Sequence, residues 1–341
     1  MLVSGFGSLL FLLGELKSFM NQKPCLAVLI PTYNEEVAIA KVVRDFQRVL
    51  PQAIIHVFDN NSSDGTVAIA RSLGAVVRHV PLQGKGNVMR RMFADIEADV
   101  YILVDGDDTY HAESSLKMID KLLGEGLDMV VGRRESVEVA SYRAGHRLGN
   151  QLLTGCVAYM FGRRFTDMLS GYRVFSRRYV KSFPALAQGF ETETELTVHA
   201  LELRMPVAEV NTPYKSRPEG SFSKLHTIRD GVRILSTILR LFRLERPVLF
   251  YGLIGAVLAL LAMGISVPLA VTYAQTGLVP RLPTAVLATG LGILASLSVT
   301  SGLILENVTQ SRQEARRLVY LGIASCASTF PNSATLTEDR A

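Results

Sequence analysis

Leu26-Ala27-Val28-Leu29-Ile30 runs directly into Pro31-Thr32-Tyr33-Asn34-Glu35-Glu36, and an amphipathic stretch follows to Val49. A short apolar run of this kind, bounded by a polar turn, reads as a strand buried on both faces. The same unit recurs along the chain. Ile54 to Phe58, Ala75 to Val80, Tyr101 to Asp105 and Met129 to Gly132 read as further buried strands, with helical stretches such as Gly86 to Ala98 between them. Alternation of this type between Cys25 and about Val210 predicts an α/β domain built on a mostly parallel sheet with helices on both faces.

Ligands of such sheets bind beyond the carboxyl ends of the strands, so the polar residues there come first. No Gly-x-Gly-x-x-Gly follows the first strand and no P-loop is present, which weakens dinucleotide and NTPase readings. The first strand ends in a turn that enters a helix, whose N–H groups are expected to face an anion. The second ends in DNNSSDGT, Asp59 to Thr66. Asp59 there suits a base N–H or a ribose hydroxyl, and an Asx turn with Ser63 or Asp64 capping the next helix explains the segment equally well. The fourth ends in VDGDDTY, Val104 to Tyr110, with Asp105, Asp107 and Asp108 crowded beside a glycine. Acids so close repel one another, and a divalent cation offsets that cost most simply. Oxygen-only ligands favour Mg²⁺ or Mn²⁺, held by carboxylates together with substrate phosphates. His111, just behind the cluster, is a weaker ligand candidate, and the six histidines form no ligand pattern.

The 341 residues are 48 % apolar and 20 % charged, against about 25 % charged in soluble domains. Some of that apolar excess is expected to face lipid. Pro247 to Pro280 carries no charge, and after Arg281 a second uncharged run extends from Leu282 to Leu305. The 24 residues of the second run span about 36 Å as a helix, more than the roughly 30 Å of a bilayer core. Two membrane spans are expected near 248–272 and 284–305. Arg229, Arg233, Arg240, Arg243 and Arg246 precede the first, and Arg312, Arg316 and Arg317 follow the second, so both flanks and both termini are expected on the cytoplasmic side of the inner membrane. Asp230 to Glu245 sets Ile234, Leu235, Ile238, Leu239 and Phe242 on one face, as an interfacial helix does. The resulting division is an N-terminal apolar segment (1–23), a catalytic domain (24–228), an interfacial helix (229–246), two spans (247–306) and a C-terminal helix with a disordered tail (307–341). Cys25, Cys156 and Cys326 form neither a metal knuckle nor a disulfide framework, which fits a reducing compartment. A formal charge of +5 is too small to imply nucleic acid.

IPTYNEE, DNNSSDGT, GKGNVMRR, VDGDDTY, VVGRR, LSGYRVFSRR, GFETETEL and RPEGSFSKL follow one another in that order. Over roughly residues 24–230 the chain resembles a family 2 glycosyltransferase of the GT-A fold, and within that group the polyprenyl-phosphate glycosyltransferases typified by dolichol-phosphate mannose synthase. The resemblance implies that Pro31, Tyr33, Glu35, Asp59 and Asn60 hold the nucleoside of a nucleotide-sugar donor, that Lys85 lies near the nucleotide, and that Asp105 and Asp107 carry the cation. The lipid-mannose members have a metal-binding glutamine where this chain has Thr109, which leaves Asp108 or water to complete the shell. The resemblance also assigns Arg133, Arg217 and Lys224 to the phosphate of a polyprenyl-phosphate acceptor, and Asp167 to the acceptor side. Orienting Arg173 is the alternative role for Asp167.

The chemistry stands without the family. A lipid monophosphate with a second pKa near 6 is already ionised at neutral pH, so it needs positioning and cations more than a general base. Arg133, Arg134, Arg147, Arg173, Arg217 and Lys224 are the candidates. The resemblance sets Glu191, Glu193 and Glu195 beside the active cleft, and three acids at a helix start are also ordinary dipole partners. A processive polysaccharide synthase is disfavoured, because those enzymes carry a Gln-x-x-Arg-Trp motif and this chain has no tryptophan. Transfer to a protein or soluble acceptor, and a catalytically silent nucleotide-sugar binder, are the other readings. Sugar, base and oligomeric state are not set by the sequence, which shows no strong small-xxx-small seam in the spans.

Overall fold

The computed structural model describes residues 24–136, 155, 165–189, 191–216, 236, 239–240 and 242–324. The apolar N-terminal segment, most of the expected interfacial helix and the expected disordered tail lie outside the described residues, as do Arg147, Arg217 and Lys224. The chain divides into two compact units, Met1–Asp230 with Arg316–Ala341, and Gly231–Ala315.

The first unit is built on strands β1 (Leu26–Thr32), β2 (Ile54–Asp59), β3 (Val76–His79), β4 (Val100–Leu103), β5 (Met129–Ser136), β6 (Arg173–Ser176) and β7 (Val207–Tyr214). Its helices are α1 (Glu36–Val49), α2 (Thr66–Ser72), α3 (Lys85–Asp95), α4 (Ser114–Gly124), α5 (Arg177–Ser182) and α6 (Thr192–Glu202). The seven strands lie in the order β3-β2-β1-β4-β6-β5-β7. All pairs are parallel except those of β6, which runs antiparallel to both β4 and β5. The expected mostly parallel sheet is present, and β6 and β7 extend it beyond the strands readable from sequence.

Val28, Ile30, Val57, Val100 and Ile102 pack with Ile39, Val43 and Phe46 of α1 and Met118 and Leu122 of α4 into the core on one side of the sheet. The pairings Thr32↔Asp59 and Leu29↔Leu103 bring the carboxyl ends of β1, β2 and β4 side by side. Arg173, a candidate phosphate ligand by sequence, is instead a fully buried core residue. Its guanidinium donates to Ser170 O at 3.0 Å, Thr197 Oγ1 at 2.9 Å and Glu193 O at 3.1 Å, tying β6 to α6.

At the opposite end of the sheet, Asp128 and Glu202 are buried. Asp128 accepts from Ser176 Oγ at 2.7 Å and Tyr320 Oη at 2.6 Å, and Arg316 Nη1 lies 2.6 Å from Glu202 Oε2. Arg178 covers the Tyr320 ring at 4.5 Å.

The second unit holds α7 (Pro247–Thr276) and all but the last turns of α8 (Leu282–Leu321), both long and apolar enough to cross a membrane. Their windows have mean hydropathy 2.4 and 1.8. Proline at the first position starts α7, and Gly277, left-handed at φ 67°, ends it. No break separates the expected span ending near 305 from the charged helix beyond it. Buried positions of α8 fall at Ala288, Ala295, Gly302 and Thr309, one every seven residues, and α7 contributes Gly255 and Ala262 at the same spacing. A Cβ on Gly255 would stand 2.8 Å from Val299 Cγ2 and 3.0 Å from Ala295 O, so the helices meet backbone to backbone. Ser298 Oγ donates across the seam to Tyr251 O at 2.8 Å. The spans therefore do have a small-residue seam, at a heptad period rather than the four-residue one sought in the sequence.

Candidate active site

A cavity of about 350 Å³ opens at the carboxyl ends of β1, β2 and β4. Pro31, Tyr33, Glu35, Asn60, Lys85, Asp105, Asp107 and Arg134 line it, together with Glu193, read from the sequence as either a cleft residue or a helix-dipole partner, and with Tyr110 and Tyr214, which the sequence did not single out. Asp59, Asp108, Arg133 and Asp167 are not in its lining.

The turn after β1 does not present open amides to an anion. Asn34 N–H donates to Ser62 Oγ at 2.9 Å, Glu35 N–H to Thr66 Oγ1 at 2.9 Å and Glu36 N–H to Asp64 Oδ2 at 3.2 Å. The DNNSSDGT loop thus consumes the donors that the sequence left available, and Asp64 closes an Asx turn by accepting from Thr66 N–H at 3.1 Å. Asp59 accepts from Ser62 N–H at 3.2 Å and lies 3.3 Å from His79 Nδ1, so its carboxylate is spent inside this loop. Asn60 braces the opposite wall: its amide donates to Val80 O and Leu82 O at 3.0 and 2.9 Å, while its Oδ1 accepts from Gly84 N–H at 2.7 Å.

Beyond β4 the acids separate. Asp105 and Asp107 stay on the cavity, and Thr109 Oγ1 donates to Asp107 Oδ1 at 2.6 Å. Asp108, at φ 55°, turns to Lys41 at 2.8 Å and Lys215 at 3.3 Å. His111 pairs with Glu113 at 2.7 Å. A Cβ on Gly171 would overlap the Asp105 carboxylate, so a larger residue there would force that carboxylate to move.

Lys85 Nζ lies 2.6 Å from Asp105 Oδ1 and 2.7 Å from Glu193 Oε1. Burial disfavours its charge, but the two carboxylates outweigh burial and raise its pKa. Two glycines make the approach feasible. Gly84 sits at φ 128°, and a Cβ on Gly84 or Gly86 would overlap the carbonyls of Gln188 and Ala187. Glu195 and Glu191 hold that second loop, Glu195 accepting from Leu186 and Ala187 N–H at 2.8 and 2.9 Å and Glu191 from Gly189 N–H at 3.0 Å. The three glutamates thus divide: the outer two shape the loop, and Glu193 faces the cavity.

Arg134, rather than Arg133, points inward. The two are successive residues of β5 and therefore face opposite sides, and Arg133 is exposed. Arg134 Nε and Nη2 each lie 2.7 Å from Asp167, a bidentate pair, and Arg134 stacks 5.6 Å from the Tyr214 ring centre. Burial pushes the Asp167 carboxyl up, but the Arg134 hydrogen bonds and charge prevail and hold it below its ordinary value. Asp167 therefore orients Arg134, and the guanidinium of Arg173 is bonded elsewhere.

The family model described as Glycosyl transferase family 2 matches residues 27–182. Glycosyltransferase AglJ of Haloferax volcanii is 36 % identical over 263 residues, 74 % of this chain and 83 % of its own. The dolichyl-phosphate hexose transferase of the same organism is 29 % identical over 221 residues, 65 % of this chain and 95 % of its own. Glucosyl-3-phosphoglycerate synthase of Mycobacterium tuberculosis, solved with Mn²⁺, UDP-glucose and phosphoglyceric acid, shares the fold at TM-score 0.54 and 23 % identity, over 67 % of this chain and 82 % of its own.

Proposed function

The chain belongs to glycosyl transferase family 2, and on that premise we propose that it moves a hexose, with inversion, from a nucleotide-diphosphate sugar to a polyprenyl phosphate such as undecaprenyl or dolichyl phosphate. One observation carries this reading: a carboxylate pair, Asp105 and Asp107, and a bidentate-held guanidinium, Arg134, share a single cavity. The first suits a cation-neutralised diphosphate and the second a phosphate nucleophile. The relative named dolichyl-phosphate hexose transferase supports a lipid-phosphate acceptor, and the two long apolar helices support action at a membrane.

The donor set around Asp105 and Asp107 is oxygen-only and hard, which fits Mg²⁺ or Mn²⁺. Bound there, a divalent cation would supply Lewis-acid neutralisation of the leaving diphosphate. Tyr33, Glu35 and Asn60 line the part of the cavity assigned to the nucleoside. Arg134 binds the acceptor phosphate and aims one oxygen at the anomeric carbon. The new C–O bond forms as the bond to the diphosphate breaks, and the nucleoside diphosphate departs. An already ionised phosphate gives up no proton, so no general base is required. Tyr110 and Tyr214, whose pKa values burial raises, stay neutral and serve as walls.

Incubation of the purified protein with labelled nucleotide sugars, undecaprenyl phosphate and Mn²⁺ tests the reading. A solvent-extractable, metal-dependent product is expected. Label that moves only to a soluble acceptor, or no transfer at all, rejects it.

A further inference from the structure

Lys85 is shared between two carboxylates, and only one of them belongs to the pair assigned to the cation. We infer that Lys85 is a resident counter-ion displaced from Asp105 when the divalent cation enters, and that Glu193 is the positioning residue that keeps it. The inference rests on the cation reading above and deepens it.

An ammonium 2.6 Å from Asp105 Oδ1 occupies the space and the charge that a cation would claim, and two cations on one oxygen repel. Exchange is short, because Glu193 Oε1 already accepts from the same nitrogen at 2.7 Å. Lysine suits it: a point charge with rotatable donors on a flexible stem changes partners without breaking a fixed fork. The receiving end is fixed by the core, since the Glu193 carbonyl accepts from the fully buried Arg173 at 3.1 Å and from Thr197 Oγ1 at 3.3 Å. The glycines at 84 and 86 fix the other end by letting the Lys85 loop lie against Ala187 and Gln188. Emptied of its cation, the site therefore keeps Asp105 neutralised and in place. Filled, it retains the ammonium beside the donor diphosphate.

The two substitutions act in opposite directions. Mn²⁺ is titrated into the full-length, detergent-solubilised protein without nucleotide, and free Mn²⁺ is followed by electron paramagnetic resonance. Lys85→Met removes the competitor, and Mn²⁺ is expected to bind about tenfold tighter, the scale of losing one unit of like charge at ion-pair distance. Glu193→Gln leaves the ammonium with Asp105 alone and is expected to weaken Mn²⁺ about fivefold by the same reasoning. In the Lys85→Met background, Glu193→Gln is expected to change nothing, since it acts through the lysine. An equal loss in both backgrounds shows that Glu193 acts on the ion directly and overturns the inference. So does weaker Mn²⁺ binding by Lys85→Met, or indifference to both substitutions while the wild type binds. A wild type that takes up no Mn²⁺ without nucleotide overturns this inference, and one that takes up none even with a nucleoside diphosphate present overturns the cation reading as well.

Discussion

The two ends of the sheet carry the same kind of group in different settings. At the carboxyl ends of β1, β2 and β4, Asp105, Asp107 and Glu193 line a cavity, and Asp105 and Glu193 share a lysine. At the other end, Asp128 and Glu202 are also buried and also partnered by cations, Arg178 and Arg316, but they sit among Ser176, Tyr320 and His199 in packed protein. Asp107, Glu193, Asp128 and Glu202 are all buried, and of these Asp107 and Glu193 line a cavity. Partnered buried acids mark a site when the partner is exchangeable and a cavity adjoins it; otherwise they are fasteners.

The contrast predicts that changes at the cavity end cost turnover with little stability, and changes at the far end the reverse. Asp107→Asn is expected to lower kcat by on the order of 10²–10³-fold, the scale of losing one electrostatic contact to the leaving charge, with the melting temperature nearly unchanged. Near-normal turnover would erase the distinction. Asp167→Asn should follow, with about 10²-fold loss as Arg134 loses its fork and drifts from the acceptor phosphate. Its loss should appear against acceptor concentration rather than donor concentration in steady-state kinetics.

Removing everything after Arg246 should depress transfer to long-chain lipid phosphate at least about tenfold more than transfer to a short soluble analogue, through lost local concentration at the bilayer. That truncation also removes Arg316 and Tyr320, so the far end supplies its control. Tyr320→Phe should cost about 1–2 kcal/mol, the scale of a hydrogen bond to a buried carboxylate, and leave turnover intact. A fall in turnover there would join the two ends after all.

The far end also sets acid sensitivity. Burial and the charge of Arg316 lower the His199 pKa to about 3, so the folded state refuses a proton that the unfolded chain accepts near pH 6.5. Stability contributed by the neutral ring is complete above that unfolded value and declines as pH falls toward 3, at up to about 1.4 kcal/mol per unit. His199→Gln should reduce the fall of urea-unfolding stability between pH 6 and 4, leaving the part set by His56, whose pKa burial and Arg78 lower to about 4. Asp167 works the other way in range: its lowered pKa keeps its pair with Arg134 intact above about pH 3.9, so that pair should be insensitive across the same window.

Much of the sheet was legible because β1 to β5 are apolar runs set off by turns. β6 was not, since Arg173-Val174-Phe175-Ser176 begins with a charge whose burial depends on carbonyls from α6 and the Met168–Ser170 loop. Ending β5 at Gly132 hid the alternation that turns Arg134 inward and Arg133 out, although continuing the strand by two residues would have exposed it. Crowding singled out the cluster of Asp105, Asp107 and Asp108, and the structure sets the first two on the cavity. Their neighbour Asp108 shows the limit of that signal, since crowding does not say which acid turns to Lys41 and Lys215. Glu193 lies 108 residues from Lys85, and no local pattern records a contact that depends on two glycines meeting two distant carbonyls.

The heptad of small residues between α7 and α8 leaves nearly every leucine, isoleucine and valine of the pair on the outside. Each helix therefore spends few of its oiliest side chains on its partner. Over their uncharged runs the two present one greased surface rather than two, and a bulky residue in place of Gly302 would press on Tyr251 and the Pro247 carbonyl and wedge the pair apart.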